Sequence, residues 1–383
     1  MKVLVIGCGN IGRVAAKDLA KSMRSTEIVV ADNDENRAKI AAEKIGTDNT
    51  SWIRLDATNQ KELAKTLKDF DLIMGFLPGK LGYGLIKACI EAKKSLVDVS
   101  YMDEDPLDLN KEATKAGITI VPDCGLAPGI SNVLVGHAVE ELDEVKAVRI
   151  MVGGLPTKPT PPLDYIITWS PESLIDEYTR KARIVEKGRK TEVDALTGLE
   201  KIEFPKLGKL EAFYTDGLRT LIQTVDAEEM WEKTLRFPGH AEKIKLLISL
   251  GFFDEENVKI NELAISPRKL AAKLLEQKLR KPSIRDLVAL RVEVDGQIND
   301  EHVNYVHHLL DYYDEKQDVT AMARTTAYPA SITAQLILRG YVKEKGILPP
   351  ERIGMNNKLF RSFVAELEKR NINQKMRKRR IIS

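Results

Sequence analysis

Gly7, Gly9 and Gly12 are spaced as G-x-G-x-x-G in the segment Gly7-Cys8-Gly9-Asn10-Ile11-Gly12. Glycines at that spacing let a chain turn tightly, bring its backbone up to a pyrophosphate and pack a helix closely on a strand. The motif needs a strand before it and a helix after it. Val3-Leu4-Val5-Ile6 is a short β-branched apolar run that reads as a buried parallel strand, and residues 13–21 read as a helix that packs through Val14, Ala15, Ala16 and Leu19. The helix N-terminus would then receive the phosphates, which makes Gly7, Gly9, Asn10, Ile11 and Gly12 candidate cofactor contacts. Asp32 follows a second strand (27–31) and stands 20 positions after Gly12, where an acid hydrogen-bonds the adenosine ribose. A carboxylate there repels a 2′-phosphate, so the expected cofactor is NAD; Arg37 close by pulls the other way.

These residues need a sheet to hold them. Strands at 51–55, 71–76, 95–99 and 118–121 alternate with helices at 60–68, 85–92 and 107–116. Repeated β–α units imply a parallel, doubly wound sheet, whose ligands bind outside the carboxyl ends of the strands. Asp32, Asp56, Leu77-Pro78, Ser100 and Asp123 all fall at such ends and join the list of candidate cofactor or substrate contacts. Each taken singly also suits a helix cap or a turn.

The chain has 383 residues, enough for two or three domains. Past Val121 the pattern changes. A turn-rich crossing at 123–129 leads to a helix (130–141) and a strand (145–152). A proline-rich loop (155–162) precedes strand-like runs at 165–169, 182–185, 201–204, 210–213, 288–294 and 302–312, with Lys187-Gly188 as a hairpin turn. Helices are expected at 241–250, 267–279 and 329–341, with Pro329 in the first turn of the last. The expected class is therefore α/β: a Rossmann sheet in 1–122, a second α+β domain with a mixed sheet in 123–320, a helical segment in 321–350, and a final helix with a basic tail in 351–383.

Fifty-nine basic residues nearly cancel 57 acidic ones, which argues against binding nucleic acid or anionic lipid in bulk; the basic tail reads as a solvated terminus. Cys8, Cys89 and Cys124 form no disulfide framework and have no metal spacing, so no metal is expected. No apolar run is long enough for a membrane span, and the first residues lack a signal-peptide layout, so the expected location is cytoplasmic.

Three segments carry a resemblance. They are the glycine motif; the stretch from Asp71-Leu72-Ile73 through Phe76-Leu77-Pro78 and Lys87-Ala88-Cys89-Ile90-Glu91-Ala92 to Val97-Asp98-Val99-Ser100-Tyr101; and Ala116-Gly117-Ile118-Thr119 running into Cys124-Gly125-Leu126-Ala127-Pro128-Gly129. On these the chain resembles the saccharopine dehydrogenase (reductase)-like family of amino-acid and polyamine oxidoreductases. YIITWSPESLIDEYT (165–179), EAFYTDGLRTL (211–221), EKTLRFPGH (232–240) and TAYPASITAQLILRG (326–340) extend the likeness towards the family's NAD-dependent lysine 6-dehydrogenase branch. The resemblance implies that the C-terminal helix folds back on the Rossmann domain. It also implies a homodimer or larger homo-oligomer acting on a small amine or amino acid. One departure stands out: Asp164 occupies a place where saccharopine-type relatives tend to carry an arginine for the glutamate part of saccharopine, which favours a smaller or more cationic substrate.

The implied reaction is oxidative deamination of the lysine ε-amine to the 6-semialdehyde, which cyclises, with release of ammonia and NADH. The amine, whose free pKa is about 10.4, must first lose its proton, which calls for a base or a desolvated site. The candidate catalytic residues are Asp123 and Tyr101, at strand ends, and His240 in Phe237-Pro238-Gly239-His240. Arg219 and Arg236, in the family-like segments, are candidate clamps for the α-carboxylate, with surface ion pairs as the other reading. Thr168 and Trp169 are candidate pocket residues, and Cys124 is a small neighbour of the cofactor. Two other functions remain open: a saccharopine-type or carboxynorspermidine-type enzyme that forms or splits a secondary amine, and an NAD-binding sensor or scaffold without turnover.

Overall fold

A computed structural model describes residues 1–281 and 285–381. The chain forms two compact units. The first comprises residues 1–141, 219–221 and 323–373, and the second comprises 142–218, 222–322 and 374–383.

The first unit is built on a parallel sheet. Its strands are β1 (Lys2–Ile6), β2 (Glu27–Asp32), β3 (Thr50–Arg54), β4 (Leu72–Gly75), β5 (Ser95–Asp98) and β6 (Thr119–Val121), with Gly346–Ile347 added beside β6. Across the sheet the order is Gly346–Ile347, β6, β5, β4, β1, β2, β3. Val3, Leu4, Val5, Leu72, Ile73, Leu96 and Ile120 are wholly buried, as central strands covered on both faces require. The crossover helices are α1 (Gly12–Ser22), α2 (Glu35–Ile45), α3 (Gln60–Leu67), α4 (Gly79–Ala92) and α5 (Asn110–Ala116), followed by α6 (Ile130–Glu140). Gly7 turns at φ +99, and a Cβ on Gly12 would lie 1.9 Å from the Gly7 carbonyl oxygen, so the first strand–helix turn needs glycine at both places.

The C-terminal helices complete this unit. The helix Ala321–Leu338 belongs to it from residue 323 onward, and Pro350–Met355 packs against α6 through glycines. A Cβ on Gly136 would lie 2.0 Å from the Glu351 carbonyl oxygen, and one on Gly354 would lie 2.0 Å from that of Val133. Arg370 pairs with Asp18 of α1 at 2.8 Å, and Ser331 donates to the same carboxylate at 2.6 Å. The fold-back expected from the resemblance is therefore present.

The second unit contains a mixed sheet in the order Glu200–Phe204, Gly208–Tyr214, Glu229–Arg236, Glu144–Pro156, Asp286–Ile298, Glu301–Tyr312, Gln374–Ile381, with the hairpin Ala182–Glu186/Arg189–Val193 off this path. Only the contact between Glu229–Arg236 and Glu144–Pro156 is parallel along that path. The helices Pro171–Thr179, His240–Ser249 and Pro267–Leu279 share one apolar cluster with Tyr165, Ile167 and Phe213.

Three expectations need correction. Pro329 is not in a first helical turn; the helix begins eight residues earlier, at Ala321, with Asp286 accepting from the Ala321 and Met322 amides, and it runs through the proline. Residues 165–169 form no strand; Ile167 donates to the Leu279 carbonyl and the segment otherwise packs side chains into the helical cluster. The basic tail is not a free end. Gln374–Ile381 pairs antiparallel with Glu301–Tyr312, its main chain bonded while Lys375, Arg377 and Arg379 remain exposed, a common way to blunt an edge strand.

The α6 contact gives a direct test. Gly136→Val should lower unfolding free energy by about 2 kcal/mol through overpacking, whereas Gly188→Asn, with nothing within 4 Å and φ +72, should cost well under that. Urea midpoints of the two variants would check the ordering.

Candidate active site

The glycine turn and the acid at the end of β2 are joined directly. Gly7 donates its amide to the Ala31 carbonyl at 2.8 Å, and the Cys8 amide donates to Asp32 Oδ2 at 2.9 Å. The Asp34 amide donates to Asp32 Oδ1, and Arg37 Nη1 lies 3.6 Å from the same atom. Asp32 is thereby buried and fixed against the loop. Gly9 and Asn10 are exposed at the tip, and nothing lies within 4 Å of where a Gly9 Cβ would stand. Ile11 is half-buried at the α1 N-cap position, where no side chain caps the helix. An open glycine tip, an uncapped helix start and a fixed acid fit the pyrophosphate and ribose of a dinucleotide.

The ends of β4, β5 and β6 supply the next group. A Cβ on Gly79 would lie 2.1 Å from the Tyr101 carbonyl oxygen, so the turn after β4, with half-buried Leu77 and exposed Pro78, packs tightly on the turn after β5. In that second turn the Ser100 amide and hydroxyl donate to Asp98 at 2.7 and 3.0 Å. Asp98 is fully buried, and burial pushes its carboxyl up to about 7 against the pull of the Ser100 hydrogen bonds; neighbouring Asp123 adds to the rise and Arg219 opposes it. The Cys124 amide donates to the Asp98 carbonyl, and its thiol contacts the Thr333 hydroxyl at 3.2 Å. Burial pushes that thiol up to about 12, so Cys124 is a packing neighbour and no nucleophile.

Asp123 and Arg219 form a buried ion pair, at 1% and 4% exposure. Arg219 Nε lies 3.2 Å from both carboxylate oxygens, and Nη1 donates to the Met102 carbonyl at 2.7 Å. The guanidinium also stands 5.6 Å from the Tyr101 ring. Both residues have φ +52, a left-handed conformation that costs a non-glycine residue roughly 1–2 kcal/mol. Asp56 stands apart: it accepts from the Thr58 amide and hydroxyl in a local turn, bonds that hold its carboxyl below the usual range.

The second unit holds the remaining candidates. Arg236 pairs with Glu177 at 3.1 Å, donates to Tyr178 Oη at 3.3 Å and to the Leu235 carbonyl, and stacks 4.6 Å over Tyr165. His240 is wholly buried at the start of His240–Ser249. Its Nδ1 lies 2.7 Å from the Leu163 carbonyl, which only accepts, so Nδ1 carries the proton and Nε2 accepts from Tyr178 Oη at 2.9 Å. Burial and then the Arg236 charge pull the imidazole down to about 3, leaving it neutral. Thr168 is buried in the unpaired segment, and Trp169 Nε1 donates to Tyr165 Oη at 3.0 Å. Asp164, the departure noted in the sequence, pairs with Lys243 at 2.5 Å.

The first unit thus gathers the glycine turn, Asp32, Ser100, Tyr101, Asp123, Cys124 and Arg219; Thr168, Arg236 and His240 belong to the second unit. Two buried acids went unremarked as site residues in the sequence. Asp98 had a signal, a carboxylate at the end of a strand in a family-like segment. Glu232 had only its place at the start of the family-like segment 232–240: it sits inside the strand Glu229–Arg236, where burial and the nearby Glu177 and Asp216 push its carboxyl up to about 8. Among the described residues no cluster of histidine, cysteine and acid has the makings of a metal site, and no helix is long and apolar enough to cross a membrane.

The family model of the saccharopine dehydrogenase C-terminal domain matches residues 125–372, and that of the saccharopine dehydrogenase NADP binding domain matches residues 3–121. The chain belongs to the saccharopine dehydrogenase family. It is an oxidoreductase of that family with a Rossmann-type NAD(P)-binding domain. The α-aminoadipic semialdehyde synthase of Arabidopsis thaliana is 25% identical over 91% of this chain, which spans only 42% of that relative's length. The saccharopine dehydrogenase [NADP(+), L-glutamate-forming] of Saccharomyces cerevisiae is 24% identical, over 94% of this chain and 96% of its own. The carboxyaminopropylagmatine dehydrogenase of Synechocystis is 23% identical over 92% of both chains. The solved apo saccharopine dehydrogenase (L-Glu forming) of Saccharomyces cerevisiae superposes with a TM-score of 0.80 over 99% of each chain, at 21% identity, which shows the shared fold.

Asp98 ties the site to pH. Its carboxyl holds a proton in the folded state up to about pH 7, whereas an unfolded aspartate releases it near 3.8. The folded state therefore binds more protons across that window, and stability falls as pH rises from about 4 to about 7. Asp98→Asn should flatten that fall, as read from urea midpoints against pH.

Proposed function

We propose that the chain oxidises a carbon–nitrogen bond of a small cationic amine or amino acid with NAD, and that L-lysine, deaminated at its ε-amine, is the substrate to try first. The observation that carries this reading is the disposition of the candidate arginines. Arg219 faces Asp123 and Arg236 faces Glu177, so both guanidinium groups already have internal carboxylates as counter-ions. Asp164, with Lys243, stands where saccharopine-type relatives tend to carry an arginine. A substrate rich in amine and poor in carboxylate suits such a site better than saccharopine does. The second reading, an enzyme that forms or splits a secondary amine, is supported by the names of the yeast and Synechocystis relatives.

The nicotinamide supplies hydride acceptance when bound; the chain's own residues do the rest. Gly7 to Gly12 and the start of α1 would hold the pyrophosphate, and Asp32 the ribose. Asp98 is able to hold a proton near neutral pH and is coupled to the Ser100 hydroxyl. Asp123 carries charge at the end of β6, with Arg219 as its partner. Ser100, Tyr101 and Cys124 are read as neighbours of the nicotinamide. His240 and Arg236 order the second unit through Tyr178. A cytoplasmic homo-oligomer, a dimer or a tetramer, is part of the same reading.

NADH absorbance with L-lysine, L-ornithine, putrescine and saccharopine, with and without an aldehyde co-substrate, tests the reaction. Lysine oxidation with release of ammonia is the expected result. Turnover of saccharopine or of a polyamine adduct alone would move the chain to the secondary-amine reading, and dinucleotide binding without any turnover would favour a sensor. The cofactor is tested separately. Asp32→Ser removes the charge that opposes a 2′-phosphate and frees Arg37, 3.6 Å away, to pair with one. The ratio of kcat/KM for NADP to that for NAD should rise by about tenfold or more. An unchanged ratio would remove Asp32 as the selector.

A further inference from the structure

The ion pair at the centre of the site is assembled from two stretches of chain far apart in sequence, and one side chain touches the neighbours of both. Glu351, in the short helix Pro350–Met355, is wholly buried. Its Oε2 accepts from Thr220 Oγ1 at 3.0 Å and from Asn132 Nδ2 at 3.1 Å. Thr220 is the residue after Arg219. Asn132 lies in the first turn of α6, and its Oδ1 accepts from the Gly129 amide at 3.1 Å and from the Ser131 hydroxyl at 3.0 Å. Gly129 closes the turn that follows Asp123: the Gly125 amide donates to Pro128, and the Ile130 amide donates back to Gly125. One carboxylate oxygen therefore ties the residue beside Arg219 to the loop that carries Asp123.

Such a tie is what the pair lacks by itself. Asp123 and Arg219 are both held at φ +52, a conformation that persists only where the surroundings over-determine it. The helix bearing Glu351 cannot drift away, because Gly136 and Gly354 bring it into backbone contact with α6. Glu351 is thus fixed from behind and reaches forward to both strained segments.

We infer that Glu351 is a positioning residue for the proposed reaction, setting the Asp123–Arg219 pair in register through Thr220 and Asn132. The inference rests on the reading of that pair as part of the active site. Glu351 is wholly buried behind the pair, so its loss should alter turnover and leave dinucleotide affinity alone. Glutamine keeps an accepting oxygen at the same reach and should largely preserve the arrangement; alanine removes it.

The test compares Thr220→Val, Glu351→Ala, Glu351→Gln and the Thr220→Val/Glu351→Ala double variant in the full chain. With the substrate found for the parent enzyme, Thr220→Val and Glu351→Ala should each lower kcat by about tenfold to a hundredfold. The double variant should be no worse than the poorer single, Glu351→Gln should stay close to the parent, and dinucleotide Kd should be unchanged in all. The second measurement needs no turnover: the 15N-labelled Nε–H signal of Arg219, assigned by its loss in Arg219→Lys, reports the bond to Asp123. Its solvent exchange should quicken by about tenfold in Thr220→Val and stay near the parent rate in Glu351→Gln. A parent chain without activity on any amine would sink the functional reading while this signal still judges Glu351. Native kcat and native exchange in Thr220→Val, or losses that multiply in the double variant, would overturn the inference, and Thr220→Val keeps it open to refutation if Glu351→Ala fails to fold.

Discussion

A carboxylate and a guanidinium removed from water together lose hydration worth several kcal/mol each, and their attraction repays this only where geometry is good and the remaining donors are satisfied. Asp123 and Arg219 form such a buried pair at the carboxyl ends of the parallel strands. Arg219 Nε faces both carboxylate oxygens, and Nη1 takes the Met102 carbonyl. Much of the surrounding chain follows from this one requirement. β6 has to lead into an acid that turns left-handed, the following turn needs glycine at 129 to enter α6, and residues 219–221 must leave the second unit's stretch of sequence to join the first unit. The C-terminal helices then have a reason to return across α6, since Glu351 is brought there to satisfy Thr220 and Asn132.

Periodicity and turn chemistry made much of the first unit legible. Short β-branched runs separated by helical spacing gave the strand order its raw material, and Gly7, Gly9, Gly12 and Asp32 fell at the expected corner of the sheet. What could not be read was anything decided by long-range contact. Pro329 reads as a helix start, yet the helix continues through it because Asp286 caps it eight residues upstream. Residues 165–169 have strand-like composition, yet they spend their apolar side chains on a helical cluster and never enter the sheet. The final basic stretch looks like a solvated end because charge describes its side chains, while its fate was settled by main-chain pairing with Glu301–Tyr312.

At the site, residue type says less than surroundings. Histidine and arginine invite chemical roles, and the contacts show what each side chain already engages. His240 has both ring nitrogens engaged, and burial keeps it neutral; Arg236 is occupied by Glu177, Tyr178 and Leu235. Together with Tyr165 they form a packed polar core that locks the start of His240–Ser249 against the segment around Leu163. Glu211 completes it by accepting from the Gly239 and Ala241 amides at 2.8 and 2.6 Å, a carboxylate placed at a helix N-terminus. The family-like segments 211–221 and 232–240 thus carry scaffold as well as chemistry.

The two acids at the ends of β5 and β6 show how the chemistry divides. Asp123 has a guanidinium as counter-ion, whereas the direct partners found for Asp98 are the amide and hydroxyl of Ser100, in a fully buried position. Neutral donors only partly offset the loss of hydration, and the charge of Asp123 adds repulsion, so Asp98 keeps its proton up to about pH 7. Carboxyls with environments this different are suited to different tasks: one to fixed charge, the other to holding a proton near neutrality. On the proposed reading, an amine that must give up a proton before it gives up hydride would draw on both. Their shared dependence on Arg219, which pairs with Asp123 and moderates Asp98, explains why a single arginine is built so deeply into this end of the sheet.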